Sequence, residues 1–147
     1  MPNTIAIACD HGGTELKGIL VADLQEAGVD VVDLSTHTTE SVDYPDYGYA
    51  VADALKTGDA ERGILICGSG IGISMAANRF SNVRAATVHD VTSARLCREH
   101  NDANVICLGA RLIGPELARE CVQVFLNTEF EGGRHEERVD KLSNPPV

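Results

Sequence analysis

The sequence predicts an α/β fold: a five-stranded parallel sheet with helices on both faces, a three-layer α/β/α sandwich. Two observations carry this reading. Short aliphatic runs alternate five times with longer stretches whose apolar residues recur every three or four positions. The 147 residues are 44% hydrophobic but only 4% aromatic, with no Trp. The core is therefore built of Ile, Val, Leu and Ala, the composition of strands covered on both sides.

The elements follow in order. Residues 4–9 (TIAIAC) read as a buried strand. Leu16, Ile19, Leu20, Leu24 and Ala27 then recur at helical spacing, and Gly28 supplies the stop. Residues 31–34 form a second strand. Residues 35–46 are polar, contain Pro45 and read as a loop, in which His37 is solvated. A helix over 47–56 closes at Thr57-Gly58-Asp59, and residues 63–67 (GILIC) make the third strand. A glycine-rich loop leads into a helix ending near Asn78. Residues 84–88 form the fourth strand, 91–99 a helix and 104–108 the fifth strand. Leu117, Cys121, Val124 and Phe125 mark the next helix, and a short charged helix over about 134–142 is appended. Alternation of this kind implies right-handed crossovers between parallel strands. No repeat or linker divides the chain, so we expect one domain over 1–147. The expected topology is doubly wound, Rossmann- or flavodoxin-like, with strand order 2-1-3-4-5.

Composition excludes several classes of function. The net charge is −10, which disfavours nucleic acid and anionic membranes as partners, since both need a basic footprint. A phosphate site on such a chain must be a local patch. Five Cys, an odd number with no C-x-x-C pair, form neither a disulfide framework nor a zinc pattern. Reduced thiols in the cytoplasm are the simplest expectation. No signal peptide or membrane span is apparent. The five His are scattered, without H-x-x-x-H or a His–carboxylate cluster in sequence, so neither metal nor cofactor is expected.

In a doubly wound sheet, ligands bind beyond the carboxyl ends of the strands where the order reverses, here between strands one and three. The loops at that point are Cys9-Asp10-His11-Gly12-Gly13 and Cys67-Gly68-Ser69-Gly70-Ile71-Gly72. Alternate glycines before a helix allow close approach of a ligand and offer N–H groups to an anion. The loop is no dinucleotide fingerprint, because Ile73 stands where Gly is needed, and no P-loop, because Lys-Ser/Thr is missing. A Cys beside a helix N-terminus has a stabilised thiolate, which marks Cys67 as a base or nucleophile. Cys9, Cys97, Cys107 and Cys121 read as small buried hydrophobes. Asp10 and His11 either cap a helix and face solvent, or contact a sugar hydroxyl or phosphate. Arg134 and Arg138, four apart, put two guanidinia on one helix face: either a phosphate clamp or a solvated face paired with Glu136, Glu137 and Asp140. His100 lies between a helix and the next strand, at the amino edge of the sheet. It is either a plain loop histidine or part of a neighbouring subunit's site, which would make dimerisation obligatory.

Several segments together resemble the ribose-5-phosphate isomerase B family, whose wider group includes galactose-6-phosphate and allose-6-phosphate isomerases. They are Cys9-Asp10-His11, Asp43-Tyr44-Pro45, the run from Gly63 through Cys67 to Gly72, Ala77-Asn78, Arg98-Glu99-His100-Asn101-Asp102, Leu108-Gly109-Ala110-Arg111 and Glu131-Gly132-Gly133-Arg134-His135. The resemblance implies a metal-free, cofactor-free aldose–ketose isomerisation through a cis-enediolate, on ribose 5-phosphate or a six-carbon sugar phosphate. It implies Cys67 as the base. Some members use a Glu six positions later, where this chain has Ile73. It also implies Ser69 with Gly68, Gly70, Ile71 and Gly72 around the anion hole, and His100 assisted by Asp10 in opening the furanose. It further implies that Asn101 orients the substrate, that Tyr44 lies near the sugar, and that His11, Arg111, Arg134 and Arg138 bind phosphate. Sites shared between subunits are implied, in a homodimer or a tetramer. Two other classes compete: a module binding a phosphorylated ligand without chemistry, and a thiol phosphatase. The latter wants C-x5-R, and position 73 is Ile73.

Overall fold

The computed structural model describes residues 2–35 and 40–147; His37 lies outside them. Five strands form one parallel sheet: β1 (Thr4–Cys9), β2 (Asp30–Asp33), β3 (Arg62–Cys67), β4 (Ala85–Thr87) and β5 (Val105–Gly109). Helices alternate with them: α1 (Thr14–Glu26), α2 (Tyr44–Thr57), α3 (Ile71–Ala77), α4 (Val91–Glu99) and α5 (Pro115–Asn127). A 3₁₀ turn (Gly133–His135) and α6 (Glu136–Ser143) complete the chain.

The strand order is 2-1-3-5-4, not the expected 2-1-3-4-5. Burial explains the exchange. Every residue of β5 is buried, whereas β4 has three residues, all only partly buried. The more apolar strand takes the inner place against β3, and the short one is left at the edge, where unpaired backbone can meet water. The reversal between β1 and β3 is unaffected.

The pleat sorts each strand between two cores. Ile5, Ile7, Cys9, Ile64 and Ile66 pack with Leu16, Leu20, Cys97, Cys121 and Phe125 beneath α1, α4 and α5. Ala6, Ala8, Leu65 and Cys67 face Val51, Ala52, Ile73 and Ala77 of α2 and α3. The small residues on this second face let α2 approach closely. A methyl at Gly63 would stand 2.5 Å from Val51 Cγ1.

Pro45 does not sit in a loop as expected. It lies in the first turn of α2, after Asp43 at the cap position, where the missing N–H costs nothing and the fixed φ suits a helix. The buried Lys17 of α1 pairs with Asp33 of β2 at 3.0 Å and ties that edge strand to the helix layer. Among the described residues no helix is long and apolar enough to cross a membrane.

Candidate active site

The two loops at the β1/β3 reversal leave the sheet side by side, because Cys9 is paired with Ile66. The Asp10 N–H donates to the Ile66 carbonyl (3.2 Å) and holds the first loop against β3. Asp10 is buried. Its Oδ1 accepts from the Gly12 N–H (2.9 Å), so it folds its own loop. It does not cap α1, whose cap position is Gly13. His11 Nδ1 accepts from the Val42 N–H (3.1 Å). In the neutral ring the proton is then on Nε2.

Cys67 is the last residue of β3. Its Sγ accepts from the Gly70 N–H at 3.1 Å. Gly70 makes this possible by taking φ +78°, the left-handed region that turns its N–H back toward the strand. The Gly70 carbonyl is held in turn by Thr87 Oγ1 at 3.2 Å. Ser69 Oγ accepts from the Ile71 N–H (3.2 Å) at the start of α3. The donors expected to face an anion are thus partly engaged with Cys67 and Ser69. Tyr44, at the head of α2, lays its ring over Gly72. A methyl there would sit 2.5 Å from the ring carbons, so Gly72 is required for Tyr44 to reach the cleft. Arg111 follows β5, donates its N–H to the Gly68 carbonyl (3.0 Å) and lays its side chain across Gly68.

Asp10, His11, Tyr44, Cys67, Gly68, Ser69, Ile71, Gly72 and Arg111 line one open cleft of about 580 Å³, with Met75 and Leu112 at its rim. Cys67 is the cysteine that reaches it. All five cysteines are free. Burial pushes the thiol pKa up to about 11 at Cys97 and Cys121, and raises it at Cys107 as well. At Cys9 burial also prevails over the Ser35 hydrogen bond and the Lys17 charge. These four remain thiols, as their reading as small hydrophobes requires.

His100, Asn101, Arg134 and Arg138 do not join the cleft. They belong to the amino edge of the sheet, separated from Cys67 by the length of β5, about 16 Å for five residues. His100 ends α4. The turn after it is fixed by Asp102, which takes φ +46°. Asp102 pairs with Arg98 at 2.8 Å and with Arg84 at 3.4 Å. The tail folds back onto this turn. Arg98 Nε donates to the Thr128 carbonyl (3.0 Å), and the Glu131 N–H donates to the Glu99 carbonyl (3.1 Å). Arg134 and Arg138 stand exposed and make no ion pair among the described residues; Glu137 pairs with Lys141 instead.

Reading the sequence missed one cluster here. The His135 ring stacks on His100, with centroids 4.4 Å apart and planes 16° from parallel. Glu131 lies 3.9 Å from Nε2 of each. The signal was the spacing of Glu131 and His135, four apart. The donor atoms lie within 4.8 Å of one another, yet they suit a cation poorly. A ligating imidazole holds its metal in the ring plane at about 2.0–2.1 Å, and two stacked, near-parallel rings cannot both do so for one ion.

A family described as Ribose/Galactose Isomerase matches residues 5–142. The chain belongs to that family. Ribose-5-phosphate isomerase B of Escherichia coli (strain K12) is 48% identical over 139 residues, covering 95% of this chain and 93% of that protein. The structure of Clostridium thermocellum ribose-5-phosphate isomerase B superposes with a TM-score of 0.94 at 49% identity, covering 95% of each chain. That of Mycoplasma genitalium ribose-5-phosphate isomerase B, which holds ribulose-5-phosphate, gives 0.91 at 43% identity, covering 95% of this chain and 93% of that one. The relatives of this family member are sugar-phosphate isomerases.

Proposed function

We propose that the chain interconverts ribose 5-phosphate and ribulose 5-phosphate by metal-free proton transfer, with Cys67 as the base. The observation that carries this reading is the cleft itself. It holds a single thiol, at the end of β3, beside a left-handed turn that directs the Gly70 N–H onto it. Position 73, where a carboxylate base would stand, is a fully buried Ile.

The steps follow from these groups. In the open-chain aldose, the Cys67 thiolate removes the proton from C2, and the electrons move through C1 onto the aldehyde oxygen. Ser69 and the N–H groups of residues 70–72 stabilise the resulting enediolate. Each such donor is worth about 3–4 kcal/mol in the transition state. The thiol returns the proton to C1 while the proton of the C2 hydroxyl passes to O1, which leaves a ketone at C2 and a hydroxyl at C1. His11 and Arg111 hold the phosphate, whose binding positions the reacting carbons.

Opening the furanose needs a further acid–base group, assigned to His100 with Asp10, and substrate orientation is assigned to Asn101. In one chain His100 and Asn101 stand at the wrong edge for that chain's own cleft. A second copy would bring them in, together with Arg134 and Arg138, so we propose a homodimer with shared sites. Exposed Ile71, Met75 and Leu112 around a polar cleft favour such a cover. Substrate length then depends on how far the partner's cations lie from Cys67.

The test is kcat/KM with EDTA present for ribose 5-phosphate and allose 6-phosphate, in the wild type and Cys67→Ala. The expected result is preference for the pentose and a loss of orders of magnitude in the variant. A hexose preference keeps the mechanism and changes the substrate. An unchanged Cys67→Ala variant, or full activity after saturating alkylation of Cys67, refutes the base. Turnover of neither substrate leaves a binding module.

A further inference from the structure

Glu131 and His135 have no role in the reaction as described above, yet both are built against His100. The tail brings them there by a backbone hydrogen bond from Glu131 to Glu99 and by the Arg98 contact to Thr128. His135 is 5% exposed. Its ring covers one face of His100, and the Glu131 carboxylate places one oxygen toward each imidazole, at 3.9 Å. The side chain of His100 itself is more than a third exposed. Without these neighbours it would sample several rotamers at the end of a helix.

We propose that His135 and Glu131 are positioning residues, which fix the ring plane of His100 and so orient the nitrogen that opens the sugar ring in a neighbouring copy's cleft. The inference rests on the assignment of ring opening to His100. Three features support it. Stacking restrains rotation about the last side-chain torsion of His100. Glu131 occupies the Nε2 side, which leaves Nδ1 of His100 with no hydrogen bond among the described residues. Two stacked rings cannot both carry a proton at low cost. Here burial, the facing His100 and the cations Arg134 and Arg138 hold the pKa of His135 down, outweighing Glu131. His135 is thus held neutral near pH 7 and adds no charge to the stack.

A difference between the two substrates separates positioning from general damage. Ribose 5-phosphate is mostly a furanose and must be opened. Ribulose 5-phosphate is acyclic, because its 5-oxygen is esterified and no hydroxyl remains to close a five-membered ring on C2. The experiment follows two rates for the wild type, His135→Ala, His135→Phe, Glu131→Gln and His100→Ala. One is kcat/KM for net conversion, whose ratio between the two directions is fixed by the equilibrium constant. The other is exchange of the C1 proton of ribulose 5-phosphate with solvent deuterium, which needs enolisation but no ring closure. A placed acid–base group contributes about 10²–10⁴-fold, so misorienting it in His135→Ala is expected to lower net conversion about tenfold or more. Deuterium exchange should fall by no more than about threefold, since enolisation is untouched. His135→Phe keeps a stacking ring and should recover most of the loss. Glu131→Gln, the mildest change, should show a smaller loss in net conversion only. Equal losses in the two rates, or none, for the His135 and Glu131 variants while His100→Ala loses net conversion selectively would overturn the positioning role alone. If His100→Ala itself shows no selective loss of net conversion, the ring-opening assignment falls and the inference with it.

Discussion

Replacing Gly70 with Ala tests the turn that would aim the proposed anion hole. Gly70 has φ +78°, which costs an L-residue about 1–2 kcal/mol. Its new methyl would stand 2.9 Å from the Leu108 carbonyl carbon, 3.1 Å from that oxygen and 3.2 Å from the Gly109 nitrogen. These are backbone atoms of the inner strand β5 and cannot rotate aside, so overpacking adds about 1–3 kcal/mol. The sum, about 2–5 kcal/mol, sits within a typical domain stability of about 5–15 kcal/mol. The variant should therefore fold at 25 °C, with a melting temperature lower by roughly 10 °C. Gly18 is the control. It lies mid-helix in α1, and a methyl there meets nothing within 4 Å. Gly18→Ala should stabilise by about 0.5–1 kcal/mol, so the same substitution carries opposite signs at the two positions. Urea denaturation measures both. In the folded Gly70→Ala protein, displacing the N–H that meets Cys67 Sγ should lower kcat about 10²–10³-fold, as loss of one hole donor does. Stability within about 0.5 kcal/mol of wild type would refute the strain argument. Normal kcat in a folded, destabilised variant would refute the turn's role in the chemistry.

Three further outcomes are expected. Asp102→Asn weakens the charged anchor of buried Arg98 and of Arg84. It should destabilise by about 2 kcal/mol in urea melts and lower turnover of the ring-closed aldose through the His100 turn. At pH 8, iodoacetamide followed by peptide mass analysis should modify Cys67 first. Burial raises the thiol pKa at Cys9, Cys97, Cys107 and Cys121; early labelling of any of these four would contradict the packing. Burial alone would raise the Asp33 carboxyl, but hydrogen bonds from Lys17 and Ser35 outweigh it, and the folded pKa is lowered. A lowered carboxylate pKa adds stability that is complete above the unfolded value and fades as pH falls through the folded one. Wild type should thus lose its advantage over Asp33→Asn on acidification below the usual carboxylate range. A constant difference in urea midpoint from pH 7 to pH 3 would refute this.

The sequence by itself determined the alternation of strands and helices, the aliphatic two-sided core and the pair of loops at the β1/β3 reversal. These are local properties: apolar periodicity, glycine spacing, and a Cys where a strand meets a helix. Cys67, Asp10, His11 and Ser69 could be named because the topology puts strand ends at the ligand edge whatever the outer strands do, whereas Arg111 came only through the family resemblance. The order of β4 and β5 was different. Both orders satisfy the same periodicity and crossover hand, and only competition for the inner place separated them: all of β5 is buried, while β4 remains half-covered. The contrast between the aliphatic 104–108 run and the Arg- and Ala-rich 84–88 run held that information as a difference in burial, which periodicity does not read. The helical start at Pro45 was written locally, as a Pro in the first turn after Asp43, and was overridden by the polarity of the 35–46 segment. The stack of His100 and His135 was least legible. Its members are thirty-five positions apart and meet because the tail turns back across α4, held by the Glu131–Glu99 backbone hydrogen bond and the Arg98 side chain on Thr128. Long-range closure of that kind is set by the whole fold, and no local pattern encodes it.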